Sequence, residues 1–213
     1  MSNLATRLQQ GIDELALTVS IETQQKLIQY IELIEKWNKS FNLTAIRQID
    51  EMLTLHLLDS LAVVPFITGR RVLDVGSGAG LPGIVLALCY PEKEFVLIDT
   101  NGKKARFMTQ AKIELGLSNV EVIQARVDDY QANQPFDTII SRAFASISDM
   151  LGLVGHLVTA ETTVLAMKAD SEEEISQMPT DYKLAYTIEQ IHELTVPGLQ
   201  AKRQLIAISK LVS

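Results

Sequence analysis

Apolar positions recur along the chain with two different periods, and the change between them divides it. In IETQQKLIQYIELIEKWNKSF, Leu27, Ile31, Ile34 and Trp37 fall three and four residues apart, the stripe of an amphipathic helix. A second helix is expected over EMLTLHLLDSLAVV, with Asp50 as its N-terminal cap and Pro65 as its stop. Residues 1–65 therefore read as a helical region packed on the core of the remaining chain. From Arg71 short β-branched runs alternate with helical ones: RVLDV then LPGIVLALCY, EFVLID then KKARFMTQAKIELG, NVEVIQ, FDTIIS then SISDMLGLVGHLV, and TTVLAMK then SEEEISQM. This alternation predicts parallel strands joined by crossover helices, an open α/β sheet over residues 66–213. KLAYTIEQIHELTV and RQLIAIS, joined by PGLQAK, break the pattern and read as an antiparallel pair. The expected sheet has seven strands, mostly parallel, with an antiparallel last strand.

The stretch RVLDVGSGAGLPGIVLALC carries glycines at 76, 78, 80 and 83, and two ligand fingerprints overlap there. Read from Gly76 it is GxGxG behind Asp74; read from Gly78 it is GxGxxG. The strand ends at Val75, so Gly76 is the turn glycine and the working pattern is DxGxGxG. Leu81 and Pro82 then open the next helix, where a missing N–H costs nothing, and Gly83 allows close packing on the sheet. Asp74, near the strand end, is expected to face the ligand crevice. A carboxylate there disfavours the pyrophosphate of NAD and suits a ligand bearing an ammonium group, such as S-adenosylmethionine. Asp99, at the end of the second strand, can accept hydrogen bonds from both hydroxyls of a ribose. Either ligand supplies those hydroxyls; Asp74 and the terminal hairpin favour S-adenosylmethionine. A phosphate-binding P-loop is excluded, because no Gly-Lys-Ser/Thr follows the glycines.

Charge complicates this picture. The 213 residues carry a formal charge of −7, which argues against nucleic acid as a partner. The bases, however, fall where strands end: Lys103, Lys104 and Arg106 after the second, Arg126 after the third, Arg142 after the fourth, Lys168 on the fifth. An antiparallel last strand would bring Lys202 and Arg203 to the same rim. That gathering is the footprint expected of a phosphate-rich substrate. No apolar run approaches the ~20 residues of a membrane span, and MSNLATRLQQ lacks the apolar stretch of a secretory signal. Cys89, the single cysteine, lies in an apolar run, so neither a disulfide framework nor a thiolate metal cluster is expected, and the simplest location is cytosolic.

What is missing narrows the chemistry. Methylation of an exocyclic amine commonly uses Asn/Asp-Pro-Pro-aromatic after the fourth strand, where this chain has SRAFAS. Methylation at a pyrimidine carbon commonly needs a nucleophilic cysteine, and Cys89 lies in a packed helix instead. Guanine N7, a ring nitrogen with a lone pair and no hydrogen, needs neither aid, as do other unassisted nucleophiles. His56 and Asp59, three residues apart, offer too few ligands for a metal. They read as a hydrogen-bonded pair locking the helices onto the sheet, with a substrate-facing role as the alternative. Trp37 and Phe41 could stack on a base, although their spacing from Ile34 favours the core.

Four segments together, KWNKSFNLTAIR at 36–47, HLLDSL at 56–61, DVGSGAGLPGI at 74–84 and SRAFAS at 141–146, closely resemble the bacterial ribosomal small-subunit methyltransferase G family, also called glucose-inhibited division protein B. The resemblance covers essentially the whole chain. It implies a class I, Rossmann-like S-adenosylmethionine-dependent enzyme with an N-terminal helical extension, which methylates N7 of guanine 527 in the 530 loop of 16S rRNA. It also implies a cytoplasmic monomer whose partner is 16S rRNA or the small ribosomal subunit. Carried over by matching segment, Gly76, Leu81, Val127, Asp128 and Arg142 would contact the cofactor, Val127 through its backbone near the adenine. Gly78 and Asp99 complete the cofactor set, Arg142 and Lys168 are the expected catalytic residues, and Arg126, Lys168 and Arg203 the expected RNA contacts. No metal is expected. One departure is MKAD at 167–170, where a glycine usually follows the lysine. Competing expectations are a class I methyltransferase acting on a small molecule or another RNA, an NAD(P)-dependent oxidoreductase, and a catalytically silent cofactor-binding module.

Overall fold

Residues 3–142 and 146–211 are described by the computed structural model. Ser20 caps α2 (Ile21–Phe41) by accepting the N–H of Thr23 at 3.1 Å, and the helix ends at Asn42, whose φ of 50° turns the chain away. α1 (Asn3–Glu14) precedes it. The second expected helix is a continuous run of α3 (Ile49–Met52), a π-helical turn (Leu53–Leu58) and α4 (Asp59–Leu61). Its cap is not Asp50. Gln48 occupies that position without a side-chain bond, and Asp50 lies inside the first turn, where Arg7 of α1 pairs with it.

The sheet contains β1 (Arg71–Val75), β2 (Glu94–Asp99), β3 (Val120–Gln124), β4 (Thr138–Arg142), β5 (Thr163–Lys168), β6 (Tyr186–Glu193) and β7 (Gln204–Lys210), in the order β3-β2-β1-β4-β5-β7-β6. The first five are parallel; β7 runs antiparallel to both β5 and β6. β6 starts later than its apolar pattern suggests, because Thr180–Ala185 winds into α9 first. The inserted hairpin places the start of β7 beside the end of β5, with Lys168 opposite Gln204. Strand order reverses at β1, between β2 and β4, so a crevice opens beyond their carboxyl ends.

Side chains alternate across the sheet, and each face has its own core. Val72 and Leu97 face α2, α5 (Gly83–Cys89) and α6 (Gly102–Leu115), joining Leu27, Ile31, Ile34 and Phe107 in one apolar cluster. Leu73, Val75 and Ile139 face the other way, toward Ile147 and Leu151 of α7 (Ile147–Val154). The N-terminal helices thus share a core with one face of the sheet. Short helix α8 (Glu172–Ser176) follows β5. No helix among the described residues is long and apolar enough to cross a membrane.

Gly83 marks the tightest approach. A Cβ there would lie 2.7 Å from Asp74 Oδ2 and 2.9 Å from Leu97 Cγ. Gly83→Ala is therefore expected to destabilise the fold by about 1–3 kcal/mol through overpacking, read as a lowered Tm in thermal unfolding; an unchanged Tm would mean α5 can shift freely on β2.

Candidate active site

After β1 the chain turns through Gly76, Gly78 and Gly80, whose φ angles of 66°, 63° and 86° lie in the left-handed region. Three supports hold this loop. The N–H groups of Gly76 and Ser77 donate to Ile98 O at 2.9 and 3.2 Å, that of Gly78 donates to Asp99 Oδ2 at 2.9 Å, and the Tyr30 hydroxyl of α2 donates to Ala79 O at 2.5 Å. Burial pushes the Tyr30 phenol well above its ordinary pKa and keeps it a donor. The expected register, with Gly76 as the turn glycine, is the one observed. Pro82 stands just before α5 rather than within its first turn.

Asp74 does not face the crevice. Its side chain shares the face of Val72, beneath α5, and is fully buried. Oδ2 accepts from the Ser77 hydroxyl and from the N–H of Gly83 at 2.9 Å, while Oδ1 has no partner. Burial raises the carboxyl to about 6, against the hydrogen bonds from Ser77 and Gly83. Asp74 braces the loop from below, so it does not by itself select an ammonium-bearing ligand.

Two cavities open above the loop. One, of about 580 Å³, is lined by Gly76, Gly78, Leu81, Arg142, Lys168 and Arg203, together with His56 and Asp59. The other, of about 280 Å³, is lined by Asp99, Arg126, Val127 and Asp128. Gly76 and Lys104 border both. The nearest atom to a Cβ built on Gly78 is 3.9 Å away, so the loop is open to close approach by a ligand. Asp99 also accepts the N–H of Asn101 on Oδ1 at 2.8 Å, yet each of its oxygens keeps a lone pair for a hydroxyl. Val127 is buried in a short helical turn, and Asp128 beside it is chelated by Arg126 through bonds of 3.1 and 2.8 Å. Those bonds hold the Asp128 carboxyl below its usual range. The smaller cavity fits the nucleoside of S-adenosylmethionine, and the larger adjoins it at the loop.

The centre of the larger cavity is organised by Asp59. Its carboxylate is buried and receives two guanidinium groups from distant parts of the chain: Arg142 Nη1 at 3.2 Å on Oδ2 and Arg203 Nε at 3.0 Å on Oδ1. Arg142 Nη1 also donates to Leu55 O of the π-helical turn at 2.8 Å. The expected His56–Asp59 hydrogen bond is absent because each group is engaged elsewhere. His56 Nδ1 lies 3.0 Å from Leu55 O and Nε2 lies 3.1 Å from Thr44 Oγ1. Burial first, then the charge of Arg142, lowers the His56 pKa to about 4. The neutral ring must donate from Nδ1 to the carbonyl, so Nε2 accepts from the Thr44 hydroxyl. Thr44 in turn is held by Asn38, which accepts its N–H at 3.0 Å and donates to Ile46 O at 2.9 Å. This network fixes Leu43, Thr44 and Ile46 as one wall of the cavity.

The rim collects the expected bases but does not leave them bare. Lys168 pairs with Glu174 at 2.9 Å, Lys104 lies 3.9 Å from Asp99, and Lys202 lies 3.6 Å from both Asp170 and Glu172. With the pairs of Arg126, Arg142 and Arg203, most of the rim is internally neutralised. SRAFAS falls partly outside the described residues, at 143–145. Composition and spacing do not single out Tyr30, Asn38 and Thr44. For Asn38 and Thr44 the signal lies in KWNKSFNLTAIR, whose polar residues sit where an exposed helix end gives no reason to prefer them. Cys89, at the end of α5, has its thiol pushed up to about 12 by burial and is no nucleophile.

The parallel sheet with its inserted antiparallel strand, the glycine turn at the end of β1 and the acid at the end of β2 define a class I, Rossmann-like methyltransferase. Solved structures share this fold. A SAM-dependent methyltransferase from Aquifex aeolicus aligns with TM-score 0.57 and 19% identity over 73% of this chain and 92% of its own. A ribosomal protein L11 methylase from Lactobacillus delbrueckii subsp. bulgaricus aligns with TM-score 0.54 and 17% identity over 73% and 77%. The family model of rRNA small subunit methyltransferase G matches residues 23–206. Ribosomal RNA small subunit methyltransferase G of Ectopseudomonas mendocina is 48% identical over 98% of this chain and 97% of its own length. That of Pseudomonas syringae pv. syringae is 47% identical over 97% and 95%. The chain belongs to the rRNA small subunit methyltransferase G family.

The His56 network has a pH signature. The folded ring resists a proton that the unfolded chain takes up below about 6.5, so its contribution is complete above that pH and is lost as pH falls toward 4. Asp74 titrates with the opposite sign, its contribution greatest at low pH and lost as pH rises to about 6. Comparing wild type with His56→Gln cancels Asp74. The stability gap between the two proteins is expected to be widest at pH 7.5 and to shrink by about 3 kcal/mol by pH 4. Denaturant unfolding across that range measures it, and a gap independent of pH would exclude a buried neutral His56.

Proposed function

We propose that this chain transfers the methyl group of S-adenosylmethionine to N7 of guanine 527 in the 530 loop of 16S rRNA, acting as a single chain in the cytoplasm. The observation that carries the reading is a cavity joining the glycine loop to Arg142, Lys168 and Arg203, in which the groups able to take a proton are already committed. His56 engages both ring nitrogens with Leu55 and Thr44, and Asp59 engages both oxygens with arginines. Cys89 cannot serve as a nucleophile. A target that must lose a proton, or be attacked first, is poorly served; guanine N7 is well served. Family membership supports rRNA as the substrate class, and a cavity lined by one chain supports a monomer.

When bound, S-adenosylmethionine supplies a methyl on a sulfonium, whose positive charge passes to the guanine without any proton moving. Asp99 would accept from the ribose hydroxyls, Val127 and Asp128 would border the adenine, and Gly76, Gly78 and Leu81 would hold the cofactor over the loop. Arg142 keeps donors beyond those given to Asp59 and Leu55, and these line the shared cavity. With Lys168 it would orient the guanine so that its lone pair is in line, the main source of rate in such a transfer. Arg203 and Arg126 would meet backbone phosphates.

Incubation with 16S rRNA and labelled cofactor, followed by mapping of the modified nucleotide, tests the proposal; label absent from the 530 loop would overturn it. Single-turnover methyl transfer is expected to be flat from pH 7 to 9, since no base acts; a tenfold rise per pH unit would reveal one. Arg203→Ala is expected to reduce rRNA methylation while sparing cofactor affinity. Asp99→Ala is expected to weaken cofactor binding by about 1–3 kcal/mol, measured by calorimetry.

A further inference from the structure

The cations that have no acid partner lie away from the cavities described above. Among the described residues, Lys36, Lys39, Lys103, Arg106 and Lys112 are the lysines and arginines that make neither an ion pair nor a side-chain hydrogen bond. All five stand on α2 and α6, which pack together through Trp37 and Phe107, ring centroids 5.6 Å apart. Lys36 and Lys39 are on the last turns of α2, the helix that ends in Phe41. Lys103 and Arg106 are on the first turns of α6 and, with Phe41, Gln124 and Thr109, line a groove of about 750 Å³. Lys104, between Lys103 and Ala105 in the chain, lines the active-site cavity instead. The groove therefore begins where the active site ends.

We infer that this groove holds a single-stranded stretch of the rRNA next to the target guanine, with phosphates on Lys103 and Arg106 and a base against Phe41. Phe41 is stacked on Trp37 at 5.0 Å and 29°, which steadies its ring while the ring still lines the groove. Unpaired cations beside a half-exposed aromatic ring are the combination that binds single strands: the charges follow the backbone and the ring takes a base of any identity. Asn101, Thr109 and Gln124 add polar groups within reach of sugars. The inference rests on the proposed rRNA substrate. It adds to it a second contact surface, formed by α2 and α6 rather than by the strand ends.

The test uses the full chain, a 16S rRNA transcript and the double variant Lys103→Glu/Arg106→Glu. The variant is expected to raise the KM for the transcript at least tenfold, with the Kd for S-adenosylmethionine and the Tm unchanged. Replacing both residues by Gln instead should lower the slope of log affinity against log salt by about 2, one unit for each lost phosphate contact. Phe41→Ala should raise KM about tenfold, and Phe41→Tyr should restore it. If the wild type methylates the transcript and the charge variants keep its KM and salt slope, the groove is not an RNA site and the proposed function stands. If the wild type does not methylate the transcript or the assembled subunit, both fail together. A defect seen on assembled small subunits but not on naked rRNA would also overturn the inference, because the occupant would then be a ribosomal protein.

Discussion

The buried carboxylate of Asp59 is the constraint on which the site depends. One oxygen receives a guanidinium from the end of β4, and the other receives one from the approach to β7. Neither arginine could be drawn so close to the other without an anion between them. A buried charge with two partners is tolerable, whereas loss of the anion would leave two cations facing each other in a partly desolvated space. Asp59 belongs to the helical segment that precedes the sheet, so the charge pattern of the cavity is completed only when that segment has docked. Tyr30, on α2, makes the same connection from below by holding the glycine loop at Ala79. The N-terminal helices are thus part of the site's construction.

Much of the architecture is legible because it follows from periodicity. Alternating β-branched and helical runs imply parallel strands with crossovers, and a break in that rhythm implies the terminal hairpin. Gly76 is recognisable as the turn because a strand pattern ends one residue earlier. Asp74 misleads for a reason equally physical. Its distance from the strand end suggests a place in the crevice, but the pleat sends every second side chain to the same face, and Asp74 follows Val72 under α5. The His56–Asp59 pairing fails similarly: helical spacing brings two side chains to one side without making them partners. Their true partners, Thr44, Arg142 and Arg203, are set by tertiary packing that no local pattern reveals. Strand ends do disclose where the bases gather, yet not the acids that meet them, since Glu174, Asp170 and Glu172 arrive from α8 and its approach.

The distribution of charge resolves the apparent conflict between an acidic protein and a polyanionic substrate. Net charge describes repulsion at a distance; binding is decided by which cations remain uncommitted at contact. Around the cavity most bases are already paired, while along α2 and α6 they are not. The protein therefore presents two kinds of positive surface, one internally compensated and one open.

The compensated rim has a consequence for discrimination. A phosphate that settles against Arg126 or Lys168 must first displace Asp128 or Glu174 from it, so an arbitrary strand exchanges one anion for another and gains little. Only a folded element able to replace several of these carboxylates at once offsets the work of separating them. The internal acids act as resident competitors, and the guest that dislodges them is chosen by its shape.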